Sequence, residues 1–68
     1  MKKNSVVRLD EMVYSSLSEV DQLVIDKYIT PKQTYVIENV EVDKMVEFLY
    51  LEGITNVGFD AAWFNKVN

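Results

Sequence analysis

The sequence predicts an α+β fold, one small domain spanning residues 1–68 with two main helices packed on a short β-sheet. Three observations lead there. Apolar residues recur at three- and four-residue steps over residues 9–24 and again over 42–50, the period of an amphipathic helix. Between and after these stretches lie runs rich in β-branched residues, at 6–7, 34–42 and 54–57, which suit strands. The balance of 49% hydrophobic against 26% charged residues is that of a folded domain and too apolar for a disordered chain.

In chain order, Ser5-Val6-Val7-Arg8-Leu9 is a β-prone run, enough for one edge strand or a strand paired across a dimer. Asp10 is a helix cap. Leu9, Met12, Val13, Leu17, Val20 and Val24 then line one inward stripe, with Glu11, Ser15, Ser16, Glu19 and Gln22 outside. That helix covers residues 10–28, and Ser18 followed by Asp21 supplies a second cap where it kinks or restarts. Thr30-Pro31-Lys32-Gln33 spells a helix start, but the β-branched residues after it outweigh one capping signature. A strand over residues 34–40, after a turn at Pro31, is the expectation, with a helix over 34–42 left open. The second helix is placed at residues 43–51. Val42, Met45, Val46, Leu49 and Tyr50 form its apolar face, and Gly53 supplies its left-handed end. Residues 54–59 read as a strand, so that strand, helix, glycine and strand resemble a small β-α-β unit. Asp60-Ala61-Ala62-Trp63-Phe64-Asn65 is a last helical turn or a last strand.

Composition excludes several function classes. With no cysteine there is no disulfide, thiolate metal site or cysteine nucleophile, and with no histidine the usual proton shuttle is missing. Eleven acids in so short a chain make adjacent carboxylates inevitable, so Asp10-Glu11 or Glu38 with Glu41 read as solvated surface. Two glycines, Gly53 and Gly58, cannot build a phosphate or dinucleotide loop, and no glycine-bearing calcium loop surrounds Asp21 and Asp26. The expectation is a protein that is not an enzyme, with no catalytic residues, no metal and no cofactor. No apolar run is long enough to cross a membrane, and no signal-peptide core precedes Arg8 and Asp10. A cytoplasmic chain without a membrane partner is expected.

Charge points to the partner. Lys2, Lys3 and Arg8 form a short basic head on a chain of net charge −4, so the body of the domain is acidic. Such a body repels phosphates and suits a basic protein surface, which makes a nucleic-acid partner unlikely on charge alone. The function expected is a small acidic protein-protein interaction module, of the accessory or inhibitor type that mobile elements encode. Eight aromatic rings crowd a small interior, and the adjacent Trp63 and Phe64 diverge in either a strand or a helix. Trp63, Phe64 and Phe59 are therefore the candidate interface residues. A domain of this size buries only about 60% of its unfolded surface, and nothing staples it. A homodimer paired through the strand at Val6-Val7 is accordingly expected.

Ser5 to Leu17, S-V-V-R-L-D-E-M-V-Y-S-S-L, resembles the opening of ribbon-helix-helix repressors. The resemblance covers about 20 residues and implies the alternative function, a dimeric DNA-binding regulator whose N-terminal strand enters the major groove. It implies Lys3, Ser5 and Arg8 as DNA-facing residues, with a second helix starting at Thr30 to Gln33. The long first helix, the β-branched residues after Gln33 and the acidic body depart from that pattern.

Overall fold

The computed structural model describes residues 1–67. Among these residues five strands form one antiparallel sheet in the order β4-β3-β2-β1-β5. The strands are β1 (Val6–Leu9), β2 (Thr34–Asp43), β3 (Val46–Leu51), β4 (Gly58–Asp60) and β5 (Phe64–Lys66). Helices α1 (Glu11–Ser16) and α2 (Glu19–Tyr28) lie between β1 and β2, and a 3-10 turn (Ala61–Trp63) joins β4 to β5. The class is α+β, as the sequence predicts.

That last connection shapes everything. Strands in a sheet sit about 4.8 Å apart, so the outer strands of a flat five-stranded sheet would be about 19 Å apart. Here the two outer strands are β4 and β5, joined by a single turn, with the rings of Phe59 and Phe64 6.0 Å apart, edge to face. The sheet must therefore curl. A bulge at Glu38, between the pairs Ile37↔Leu51 and Asn39↔Tyr50, helps β2 to bend. The concave side holds Val7, Leu9, Ile37, Leu49, Leu51, Phe59 and Phe64, and α2 adds Ile25 with Ile29 just beyond its end. No polar or charged residue among those described is buried with them.

The helical segment is two helices. The Asp10 carboxylate accepts from the amides of Met12 and Val13 at 3.0 and 3.2 Å, and α1 ends at an extended Leu17. The Ser18 hydroxyl then accepts from the Asp21 amide and starts α2 afresh. This corrects the inward stripe. Extended backbone at Leu17 and Ser18 resets the helical phase, so Met12 and Val20 face solvent and Ile25 turns to the core.

Residues 43–51 are not a helix. Asp43 ends β2, Lys44 and Met45 make a two-residue turn with φ of 50° and 68°, and β3 runs back beside β2. Two left-handed residues are what a tight hairpin matched to strand twist requires. The β-α-β unit is likewise replaced by an antiparallel meander, β2-β3-β4. The strand expected at 54–59 shrinks to β4, and Gly53 (φ +87°) opens the loop before it. The strand at 34–40 is present and extends to Asp43, and Pro31 lies in a turn. At the C-terminal end both alternatives occur in succession, because the Asp60 carboxylate accepts from the Ala62 amide, seeds one 3-10 turn and releases Phe64 into β5.

β1 is an inner strand, pairing with β2 (Val7↔Tyr35) on one side and β5 (Val7↔Lys66) on the other. It has no open edge. Dimerisation through Val6-Val7, and the groove-entering ribbon of the repressor resemblance, both require one. The second helix of that resemblance is β2.

Replacing Lys44-Met45 with Asn-Gly, a pair that tolerates left-handed backbone, should stabilise the protein by about 1 kcal/mol. In a domain of this size that is about 4–8 °C in Tm by calorimetry. A lower Tm is what a helix at 43–51 would give, since a glycine inside a helix costs about 1 kcal/mol.

Candidate functional site

Helix α2 carries apolar residues on both sides. Ile25 is buried, and Tyr28 packs edge to face on Phe59 with centroids 6.2 Å apart. At 100° per residue, Leu23 leaves from the opposite side, Val20 lies beside it, and Val24 falls between Val20 and Tyr28 at the margin of the buried face. They are 70%, 68% and 36% exposed. On the preceding helix Met12 is 86% exposed. Soluble surfaces tolerate single apolar residues, but three on one helix face form a stripe.

Glu19 and Asp26 flank Leu23, and with Gln22 they enclose a shallow depression of about 190 Å³. The Tyr14 hydroxyl donates to Asp26 Oδ1 at 2.7 Å, and Gln22 Nε2 donates to the Tyr14 carbonyl at 2.8 Å, which ties α1 to α2. The hydrogen bond to Asp26 holds the neutral phenol and raises the Tyr14 pKa, with lesser contributions from desolvation and the Asp26 charge. Lys27 turns its Nζ over the Tyr28 ring, 5.4 Å from the centroid.

Charge is segregated between the two layers. Residues 10–28 contain five acids (Asp10, Glu11, Glu19, Asp21, Asp26) and one base, Lys27. The rest of the chain holds six of each. The whole net charge of −4 therefore resides in the helical segment, where the exposed apolar stripe also lies.

A second concavity, about 380 Å³, opens beside the bulge and is lined by Glu38, Asn39, Glu41, Tyr50 and the loop residues Ile54, Thr55 and Asn56. Alternation would send Glu38 to the face opposite Asn39 and Glu41, and the bulge allows it to join them. Tyr50 stands opposite Gly58 in β4, where an added Cβ would come within 3.0 Å of the ring. The Glu41 charge is the first cause of a raised Tyr50 pKa, followed by desolvation and a long hydrogen bond of 3.4 Å. Each concavity borders one phenol–carboxylate contact, Tyr50 with Glu41 and Tyr14 with Asp26, and among the described residues no cluster of acids is arranged to hold a metal ion.

Of the candidate interface residues, Phe59 (0% exposed) and Phe64 (4%) are core, which corrects their assignment. β4 turns its central ring inward and β5 its first, so neither is available to a partner. Trp63, in the 3-10 turn, is half-buried, and its carbonyl accepts from the Asp10 amide at 2.8 Å. Lys3 and Arg8 are exposed and Ser5 is half-buried, its backbone bonded to Ile37. The sequence reading missed the α2 stripe. Ser18 was the available signal, because a cap there restarts the phase and turns Leu23 outward.

Two measurements check this geometry. Phe64→Ala should cost about 3–5 kcal/mol in urea unfolding and Trp63→Ala clearly less, and equal losses would place both rings in the core. By NMR titration the Tyr14 phenol should ionise above the ordinary 10.0, and Asp26→Asn should return it towards that value. A raised phenol pKa favours the fold below pH 10 and loses that contribution as pH rises through the folded value. An unchanged Tyr14 titration in Asp26→Asn would show that the carboxylate is not the cause.

The chain matches no protein-family model, no curated protein and no solved structure, so geometry and charge carry the functional reading.

Proposed function

We propose that this protein is a small non-enzymatic interaction module that binds a protein partner through the exposed face of α2. The observation that carries the reading is the outward stripe of Val20, Leu23 and Val24 on a helix already anchored from behind by Ile25 and Tyr28. Fully burying a valine or leucine side chain is worth about 1.5–3 kcal/mol, so covering this stripe supplies a useful part of a binding free energy. Apolar residues at i, i+3 and i+4 are the pattern by which one helix packs against a neighbour. The fold supports it mechanically. α2 is held at its start by Ser18, along its length by the Tyr14 and Gln22 contacts, and at its end by Ile29 in the core. An accessory or inhibitor role fits a chain whose surface pairs an exposed apolar stripe with an acidic flank.

The test is Leu23→Glu, with Val20→Glu as a second variant. Both sites are exposed, so unfolding free energy should change by no more than about 0.5 kcal/mol. A partner retained by the wild-type protein from an extract of its host should bind either variant at least about tenfold more weakly, as judged by titration calorimetry with the purified partner. Undiminished affinity in both variants, with the fold intact, would remove α2 as the contact surface.

A further inference from the structure

From the charge and spacing along α2, we infer that the partner segment is a basic amphipathic helix that lays two apolar residues against Leu23 and brackets them with two bases. This rests on the interaction-module reading and names the partner's chemistry. Glu19 and Asp26 are seven residues apart, almost two helical turns, so they lie on one side of α2 with about 10 Å of axis between them. Leu23 sits between them, and all three line the same shallow depression. The complementary pattern on a facing helix is lysine or arginine at i and i+7 with apolar residues at i+3 and i+4.

Three further observations favour this occupant. The one base of the helical segment, Lys27, is drawn over the Tyr28 ring, so it leaves both carboxylates to an incoming cation. Asp26 receives the Tyr14 hydroxyl on Oδ1 alone, which leaves its other oxygen open to a donor. The segment holds all of the net negative charge, so a basic partner is steered to this side of the molecule while nucleic acid and anionic lipid are repelled. A second copy of the chain fits poorly. A twofold interface sets each patch against itself, and here it would bring Glu19 and Asp26 against the same pair with no base between them.

The experiment uses synthetic peptides of about four helical turns. The probe carries lysines at i and i+7 around leucines at i+3 and i+4. One control replaces the lysines with glutamates, and another replaces the leucines with serines. Against the whole protein, the probe should bind with amide shift changes centred on residues 19–27, and each control should bind at least about tenfold more weakly. The double variant Glu19→Lys/Asp26→Lys, its fold checked by circular dichroism, should invert the preference and select the glutamate peptide. Leu23→Glu should lose the lysine peptide although it adds negative charge.

Equal binding of the lysine and glutamate peptides, a preference unchanged in the double variant, or shifts centred elsewhere would overturn the assignment. Self-association abolished by Leu23→Glu would give the face to a second copy and overturn it too. A native partner lost by Leu23→Glu but indifferent to the double variant would defeat the basic helix and leave the interaction-module reading standing. One that survives Leu23→Glu would defeat both.

Discussion

The short connection between β4 and β5 is the constraint on which the rest of the structure depends. It ties together the two strands at opposite ends of the sheet order, and the sheet has to curl to allow it. Asp60 makes the connection by capping one 3-10 turn, and the Phe59 and Phe64 rings close the gap edge to face. Curling creates a concave side, and strand alternation then decides the core. Val7 and Leu9 point in while Arg8 points out, and Leu49 and Leu51 point in with Phe48 and Tyr50 on the other face. The same closure gives β1 neighbours on both sides. An inner strand cannot recruit a partner strand, so β1 offers no edge for pairing.

Once the strands have filled the concave side, little interior remains for the helices. Ile25 and Ile29 complete the core from one side of α2, with Tyr28 packed at its margin. α1 buries no residue fully. Among the described residues no further layer covers Val20, Leu23 and Val24. The exposed stripe is what remains on α2 once the interior is filled. Its energetic cost to the folded state is small, because those side chains are also in water when the chain unfolds.

The caps and the β-branched runs at 6–7 and 34–42 were legible in the sequence, whereas the run at 54–57 is loop. Asp10, Ser18 and Pro31 mark real boundaries, and Thr34 to Val40 is a strand because Val36, Ile37 and Val40 suit a pleated surface better than a helix. The hairpin at residues 44–45 was not legible. Tight turns announce themselves by asparagine and glycine, and Lys44-Met45 adopts left-handed backbone without either. Meanwhile Val42, Met45, Val46, Leu49 and Tyr50 fall at helical steps by coincidence, and of these only Leu49 is buried. The acidic character of the body was plain, but its confinement to one layer was not, because that depends on which segments fold into the sheet. The outward face of α2 was hidden by a period carried through Leu17 and Ser18 as though the helix were continuous.

The electrostatics of α2 separate what serves the helix from what serves its surface. Glu19 and Asp21 lie in the first turn, where the positive end of the helix dipole favours them, and Lys27 lies in the last turn, where a cation is favoured. Asp26 is the exception. It places a carboxylate in the last turn, against the dipole, and its partner there is the hydroxyl of Tyr14, twelve residues earlier. Lys27, next in sequence, turns to an aromatic ring rather than to this carboxylate. Helix stability alone gives no reason for an acid at that position. On the outer face Asp26 and Glu19 lie beside Leu23 in the same shallow depression and give that surface its negative sign.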